Sequence, residues 1–352
     1  MAWKKSQTYS SDRSTSRNSM FSNFCHVLKS IIIFSLLAAY ALCGCSSNDS
    51  GNEPGPPPVD VRHVTVNSDN TTSDGSIFEP VDGTSFKIDH ILYSIVGTHI
   101  EIAGGDSLKM GESIEPYASI TYQSRNYKVR AVKEKAFYQF HHLKGVTLPE
   151  GIQYIGSDAF YNCIRLYELN LPSTLTRIGG WMCYSCVALK SITLPDNLET
   201  ITYRAFYKCS NLKEVNFPSN LKEIGDGAFC GCISLTELNL PQSIVTVSPI
   251  TNDYYGVKGA FQDCTSLSKV TLPANVQAVG DRAFVDCPSL KEVTCLAPEP
   301  PAMRYTTFEN KDPETILYVL PESVESYKEA YYSDPENPFK TTVNVEIKPI
   351  KK

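Results

Sequence analysis

Histidine is scarce in this sequence: there are 6 among 352 residues, and none lies beyond His142. A histidine-based catalytic triad drawn from the rest of the chain is therefore excluded. The motifs G-x-S-x-G and H-E-x-x-H are missing, as is a phosphate-binding glycine loop. We predict that the protein is not an enzyme, that it has no catalytic or metal-binding residues and that it uses no cofactor.

Positive charge is also in short supply. The chain has 32 Lys and Arg against 38 Asp and Glu, which gives a formal net charge of −6. Proteins that bind nucleic acid neutralise phosphates with clustered Lys and Arg. Nucleic acid is therefore not an expected partner.

Long hydrophobic runs are few, and the one at residues 30–45 is shorter than the roughly 20 residues that span a bilayer. It follows Lys29 and ends in Leu42-Cys43-Gly44-Cys45, which is typical of an export signal. These last residues resemble the bacterial lipobox, which implies a signal peptide over residues 1–44 and a lipid on Cys45. An ordinary signal peptide or a short anchor helix is the alternative. Translation starts at Met1 or Met20.

The residues after Cys45 are rich in Gly, Ser and Pro, and we interpret residues 45–60 as an extended tether. Acidic residues just after such a cysteine direct some lipoproteins to the cell surface. Here that signal is limited to Asp49 and Glu53. We expect an outer-membrane lipoprotein at the cell surface rather than on the periplasmic face.

From Phe137 to Phe308 the chain repeats itself with a period of 23 residues, which is the signature of a solenoid. An Ala-Phe pair begins most copies, and Met182 and Cys183 replace it in the third. One step of 32 residues contains nine inserted residues, 249–257. The recurring cysteines are Cys163, Cys186, Cys209, Cys232, Cys264 and Cys287.

Each copy contains a short alternating segment such as Leu212-Lys213-Glu214-Val215-Asn216-Phe217-Pro218, which predicts a half-buried strand. Stacked parallel copies would bury the apolar faces in one continuous core, and the proline would end each strand. Leu221 and Ile224 suggest a second inward-facing segment. We expect the glycines after it, such as Gly156 and Gly280, to supply a turn with unusual backbone angles.

The position of the cysteines in the repeat explains why they recur, without disulfide bonds. Because the six recurring ones occupy the same position in successive copies, we predict buried free thiols that act as small apolar groups. Cys183 and Cys186 form a C-x-x-C pair, but each stands at a structural position of the repeat, so a zinc site is disfavoured. Whether Cys230 or Cys295 pairs with another cysteine is left open.

Two regions are candidate binding sites. The first is a row of outward-facing strand residues that would form a flat polar surface, although they could simply satisfy their exposed neighbours. The second is the inserted segment, which carries Asn252, Asp253, Tyr254 and Tyr255, or else is a tolerated insertion. The residues of the polar row are Thr147, Asn170, Thr193, Asn216, Asn239, Thr271 and Thr294.

The repeat unit Leu-x-x-Ile-Gly-x-x-Ala-Phe-x-x-Cys-x-x-Leu-x-x-Val-x-Leu-Pro resembles the BspA-like leucine-rich repeat family, and residues 221–241 follow it almost letter for letter. The flanks also look like this family. The expected architecture is a strand-rich N-terminal segment and cap at residues 61–130, a leucine-rich repeat solenoid with short parallel strands at 131–310 and an α+β C-terminal cap at 311–352.

The resemblance implies a surface-attached bacterial lipoprotein that adheres to host extracellular proteins or to neighbouring cells. We therefore expect a non-catalytic, lipid-anchored adhesin or scaffold with a protein partner. A glycan-binding accessory lipoprotein is the alternative. Aromatic residues that would stack on sugars are absent from the exposed strand positions apart from Tyr167, which favours a protein. The sequence leaves the oligomeric state and the identity of the ligand open.

Overall fold

The computed structural model describes residues 62–249, 258–303, 305–308, 315–332 and 345–351, and all of them belong to one compact unit, Val59–Lys352. The predicted signal peptide, Cys45, the tether and the residues Asn252, Asp253, Tyr254 and Tyr255 lie outside the described residues. Within the described ranges, no helix is both long enough and apolar enough to cross a membrane.

The N-terminal segment is built from strands β1 to β8, seven of which share one sheet in the order β1-β7-β8-β5-β4-β3-β2. Alternate residues of these strands are buried, as in β5, because each faces the core on one side only. The core contains Phe86, Tyr93 and Ile100. The strands are β1 His63–Thr65, β2 Phe78–Pro80, β3 Ser85–Ile88, β4 Ile91–Val96, β5 His99–Gly105, β6 Ser113–Ile114, β7 Ser119–Tyr122 and β8 Arg125–Val132.

After this segment the chain forms two ladders of parallel strands. In the first ladder, residues 23 positions apart lie side by side, as Glu168 does beside Gly145. Its hydrogen bonds divide it into three sheets, the last of which continues into the C-terminal cap. The strands of the first ladder are β9 Gly145–Thr147, β11 Glu168–Asn170, β13 Ser191–Thr193, β15 Glu214–Asn216, β17 Glu237–Asn239, β19 Lys269–Leu272 and β21 Glu292–Cys295.

The second ladder confirms the inward-facing segment expected after the proline. Each of its strands has two residues, and the second is buried in nearly every copy, as Ile224 is. The first of these strands also pairs with β8, which joins the N-terminal sheet to the solenoid. The strands of this ladder are β10 Tyr154–Ile155, β12 Arg177–Ile178, β14 Thr200–Ile201, β16 Glu223–Ile224, β18 Thr246–Val247, β20 Ala278–Val279 and β22 Ala302–Met303.

The expected reason for the repeat glycines is wrong. Gly156 and Gly280 do not have left-handed backbone angles; a Cβ atom on Gly280 would lie 1.7 Å from the carbonyl oxygen of Ser248, and one on Gly156 would lie 2.3 Å from the nitrogen of Glu134. Glycine is needed there because the coils approach closely. The left-handed residues come two positions later, for example Asp158 at φ 57°.

Phenylalanine rings stack through the core of the solenoid. Phe229 lies between Phe206 and Phe261, with ring centroids 5.3 Å and 5.4 Å apart and the rings almost parallel. The stack extends to Phe308, which packs 5.5 Å from Phe284. In the third coil the smaller Cys183 stands at the phenylalanine position, and the larger Met182 replaces alanine beside it; both are fully buried.

The recurring cysteines are free and buried, as predicted, and each thiol donates a hydrogen bond to a backbone carbonyl of the preceding coil. Cys163 donates to Phe137 over 3.0 Å, and Cys232 donates to Phe206 over 3.2 Å. Each thiol is therefore a second, weak donor to a carbonyl that already accepts a backbone N–H, as the Phe206 carbonyl does from Cys209 over 3.2 Å.

The C-terminal end of the solenoid is covered by strand β23 Thr315–Val319, helix α1 Val324–Tyr332 and strand β24 Val345–Pro349. Strands β21, β23 and β24 pair in parallel. Two buried tyrosines fasten the helix: the Tyr327 hydroxyl donates to the carbonyl of Ala297 over 2.9 Å, and that of Tyr331 donates to Pro301 over 2.7 Å.

Candidate functional site

The seven outward-facing residues of the first ladder form one row, which we call the polar strand face. The five from Thr147 to Asn239 are exposed, and Thr271 and Thr294 are half-buried. Each follows an apolar residue of its strand that is buried, or half-buried in the case of Val215, so the core fixes its direction. The structure therefore brings the whole predicted row onto one side of the first ladder.

Two pairs of these side chains are hydrogen-bonded to each other. The Asn170 amide donates to the Thr147 hydroxyl over 3.1 Å, and the Asn216 amide donates to Thr193 over the same distance. The alternative interpretation, that these residues only form hydrogen bonds with their exposed neighbours, thus holds for two pairs. Each pairing still leaves an amide oxygen available to a ligand.

Two adjoining depressions lie on the polar strand face. Each has a volume of about 680 Å³, and they share Asp196, Asn216 and Phe217 at their border. Asn170 and Thr193 line the first, and Asn239 lines the second. Four of the seven predicted residues therefore line one continuous surface.

The charges along this face are unevenly distributed. Glu168, Glu214 and Glu237 are exposed at the start of their strands, and Glu168 accepts a hydrogen bond from the Asn170 amide over 2.9 Å. Lys269 lies beside Glu237 in the register of the next strand pair. Negative charge is consequently concentrated where the depressions lie.

Both ladders keep their register across the inserted segment. Leu238 pairs with Val270, and Val247 pairs with Val279, although the step between these coils is longer. Beside the insertion, the backbone N–H of Ala260 donates to the Ser248 hydroxyl over 2.8 Å, which fixes the start of the next coil. The role of the four candidate loop residues stays a prediction.

A stack of tyrosines on another side of the coils was missed by sequence reasoning. Tyr138, Tyr161, Tyr184 and Tyr207 stack with centroids 4.8, 4.5 and 5.1 Å apart and nearly parallel rings, and we call them the tyrosine stack. Burial raises the pKa of Tyr207 to about 12. Their common spacing of 23 residues was the available signal.

The thiols offer little chemistry. Burial raises the pKa of Cys209 and Cys232 well above the usual thiol range, so they stay protonated and unreactive at neutral pH. Cys230 and Cys295 are free, and Cys230 Sγ lies 3.7 Å from a carboxylate oxygen of Asp263. Among the described residues, no three His, Cys, Asp or Glu side chains cluster closely enough to hold a metal ion.

The family that matches the sequence is the BspA type leucine-rich repeat region, present in six copies over residues 130–254 and 257–351. No curated protein matches the chain. Among solved structures, the leucine-rich repeat protein of T. pallidum is 25% identical, and the alignment covers 68% of this chain and 87% of that one with a TM-score of 0.39.

Two further solved structures show the range of the similarity. A leucine-rich repeat protein from Bacteroides capillosus is 28% identical over 33% of this chain and 86% of that one, with a TM-score of 0.31. The pneumococcal vaccine antigen PcpA is 16% identical over 78% of this chain and all 100% of that one, with a TM-score of 0.37.

Proposed function

The chain belongs to the BspA-type leucine-rich repeat family, and from this premise we propose that it is a non-catalytic, lipid-anchored surface protein that binds another protein. The observation that carries the proposal is the polar strand face with its two depressions. Repeat proteins of this kind mediate protein interactions, and a solenoid binds along an extended surface whose residues vary over a fixed core.

The partner contacts exposed polar groups rather than a deep pocket. Asn216 and Asn239 supply amides, Glu214 and Glu237 supply carboxylates, and the half-buried Phe217 supplies apolar area between them. Such a mixed surface fits a folded protein that docks as an adhesin ligand or as a scaffolded component of the envelope.

Two threonines of one coil allow a matched test of this face. Thr193 lies in the first depression, and Thr200 is exposed in the second ladder, away from it. Thr193→Lys should weaken binding of the full-length protein to immobilised extracellular-matrix proteins by at least about tenfold, which corresponds to about 1.4 kcal/mol, whereas Thr200→Lys should not. Equal binding by the two variants, or no binding to any protein of the panel by the native chain, contradicts the proposal.

The anchor and the location are tested separately. We propose that Cys45 carries the lipid and that the mature chain faces outward from the outer membrane. Cys45→Ala should move the protein from the detergent phase to the aqueous phase in phase partitioning. Protease added to intact cells should remove the repeat region. Protection in intact cells, with cleavage after lysis, would instead place the protein on the periplasmic side.

A further inference from the structure

The third and fourth coils carry an aromatic group that adjoins the tyrosine stack, because Trp181 packs on Tyr184 with ring centroids 5.2 Å apart. Tyr203 is 53% exposed, and its ring meets Trp181 edge to face at 5.7 Å and 84°. A Cβ on Gly180 would lie 2.4 Å from Cε1 of Tyr203, so this glycine lets the ring rest directly on the backbone. We call Gly180, Trp181 and Tyr203 the aromatic corner.

The repeat explains why these residues meet. Gly180 and Tyr203 occupy the same position in successive coils, where other copies have Glu134, Ser157 and Asp226. Gly180 does not have a left-handed backbone, so the approach of the ring is what requires glycine here. The corner forms because two successive coils both differ from the repeat at this position: one has glycine, and the next has a tyrosine whose ring packs on that glycine.

The corner differs from the tyrosine stack in what it offers to a ligand. In the stack, neighbouring rings cover each other's faces, with Tyr161 and Tyr184 only 4.5 Å apart. Tyr203 is packed on Gly180 and touches Trp181 only edge to face, so ring surface remains open to solvent. The guanidinium of Arg204 lies 4.5 Å from the Trp181 ring centre and borders the corner.

We propose that the aromatic corner is a carbohydrate-binding site, with Tyr203 as the surface on which a pyranose ring stacks. The electron-rich face of an aromatic ring attracts the polarised C–H groups on one face of a sugar. The sugar's hydroxyls require polar neighbours, which Arg204 and Asp226 of the next coil provide; the backbone N–H of Arg204 donates to the Asp226 carbonyl over 2.9 Å, so the two residues lie side by side.

Other ligand classes fit the corner less well. A quaternary ammonium would also bind an aromatic face, but the guanidinium of Arg204 beside it repels a cation. A nucleobase could stack there, but the chain has a net charge of −6 and would repel the phosphates. A neutral sugar meets neither obstacle.

The fluorescence of Trp181 reports on the site, because the only other tryptophan of the chain is Trp3. The experiment uses the full-length chain expressed with Trp3→Phe, so that Trp181 is its one tryptophan whether or not residues 1–44 are removed, in a detergent without a sugar headgroup. Its fluorescence is titrated with soluble glucan, mannan, xylan and N-acetylglucosamine oligomers. Retardation in native gels that contain the same polysaccharides detects binding that leaves the fluorescence unchanged.

At least one of these probes should give saturable binding that Tyr203→Ala weakens by about tenfold or more, as is typical for a central aromatic contact. Tyr203→Phe, which keeps the ring face, should bind within about threefold of the native chain, since it loses only one hydroxyl. Tyr138→Ala removes a tyrosine that is 36% exposed at the end of the tyrosine stack, away from the corner, and should leave sugar binding unchanged.

Two results would overturn the proposal. One is that the native chain binds none of the probes by either method. The other is that Tyr203→Ala, with an unchanged circular dichroism spectrum, binds as tightly as the native chain. Neither result bears on protein binding by the polar strand face, which the Thr193 and Thr200 variants test.

Discussion

Removing one ring from the middle of the phenylalanine stack should cost more than removing the last one. Phe229 is fully buried and contacts three rings: Phe206 at 5.3 Å, Phe261 at 5.4 Å and Phe217 edge to face at 5.8 Å. Phe308 is 1% exposed and has one ring neighbour among the residues that the structure describes, Phe284 at 5.5 Å. The two positions therefore differ in aromatic contacts rather than in burial.

The expected magnitudes follow from these contacts. Truncating a buried phenylalanine to alanine costs about 3–5 kcal/mol, and each aromatic pair contributes about 0.5–1.5 kcal/mol beyond its buried area. We expect Phe229→Ala to lower the free energy of unfolding by about 5 kcal/mol and Phe308→Ala by about 3 kcal/mol. The difference of about 2 kcal/mol reflects the two additional ring contacts.

Urea unfolding followed by circular dichroism measures both losses, provided that each variant keeps the native dependence on denaturant. Hydrogen exchange then shows whether the loss spreads to neighbouring coils, as nearest-neighbour coupling in a solenoid requires. The reasoning fails if Phe229→Ala is no more destabilising than Phe308→Ala, or if it costs less than about 2 kcal/mol.

Three further outcomes are expected. Gly280→Ala should lower the free energy of unfolding by about 1–3 kcal/mol, because its Cβ would overlap the carbonyl of Ser248. Gly83→Ala is the control: its Cβ would meet nothing within 4 Å, and it should leave the melting temperature nearly unchanged. Met182→Ala and Cys183→Phe should each destabilise the third coil, yet the double variant should be more stable than the sum predicts by about 0.5–3 kcal/mol in unfolding experiments; strict additivity would refute the compensation. Stability should fall as pH rises above about 8.5, by up to about 1.4 kcal/mol per pH unit for each buried thiol, because the unfolded chain ionises thiols that burial keeps protonated in the fold. Urea midpoints at pH 7.5 and 9.5 should show this loss, and replacing Cys209 and Cys232 with alanine should reduce it.

The sequence predicts the solenoid well because its information is local and repeated. The 23-residue spacing alone indicates the parallel ladders, the burial of Cys163 and its equivalents, and the common direction of residues such as Thr193 and Asn216. Each of these features follows from one coil and its neighbour. The N-terminal sheet is different, because its order joins β1 to β7 and β5 to β8, and such pairings between distant strands have no repeat to reveal them.

Features that depend on contact between coils were harder to predict. The glycine three residues before several Ala-Phe pairs was predicted to supply special backbone angles, but its role at Gly280 depends on where the previous coil places the Ser248 carbonyl. The aromatic corner shows the same limit: Gly180 and Tyr203 are unremarkable until the register places one on the other. Sequence alone identified the positions but not the distances between them.

The buried thiols also require that the coils dock before the cysteines are oxidised. On the proposed export route, the chain reaches an oxidising compartment while unfolded, with thiols of ordinary acidity exposed to disulfide-forming catalysts. Only when a coil docks on the one before it does a thiol such as Cys209 become sheltered and hard to ionise. Coils that dock early protect their cysteines early, so the order of assembly along the solenoid decides which thiols are at risk of wrong pairing.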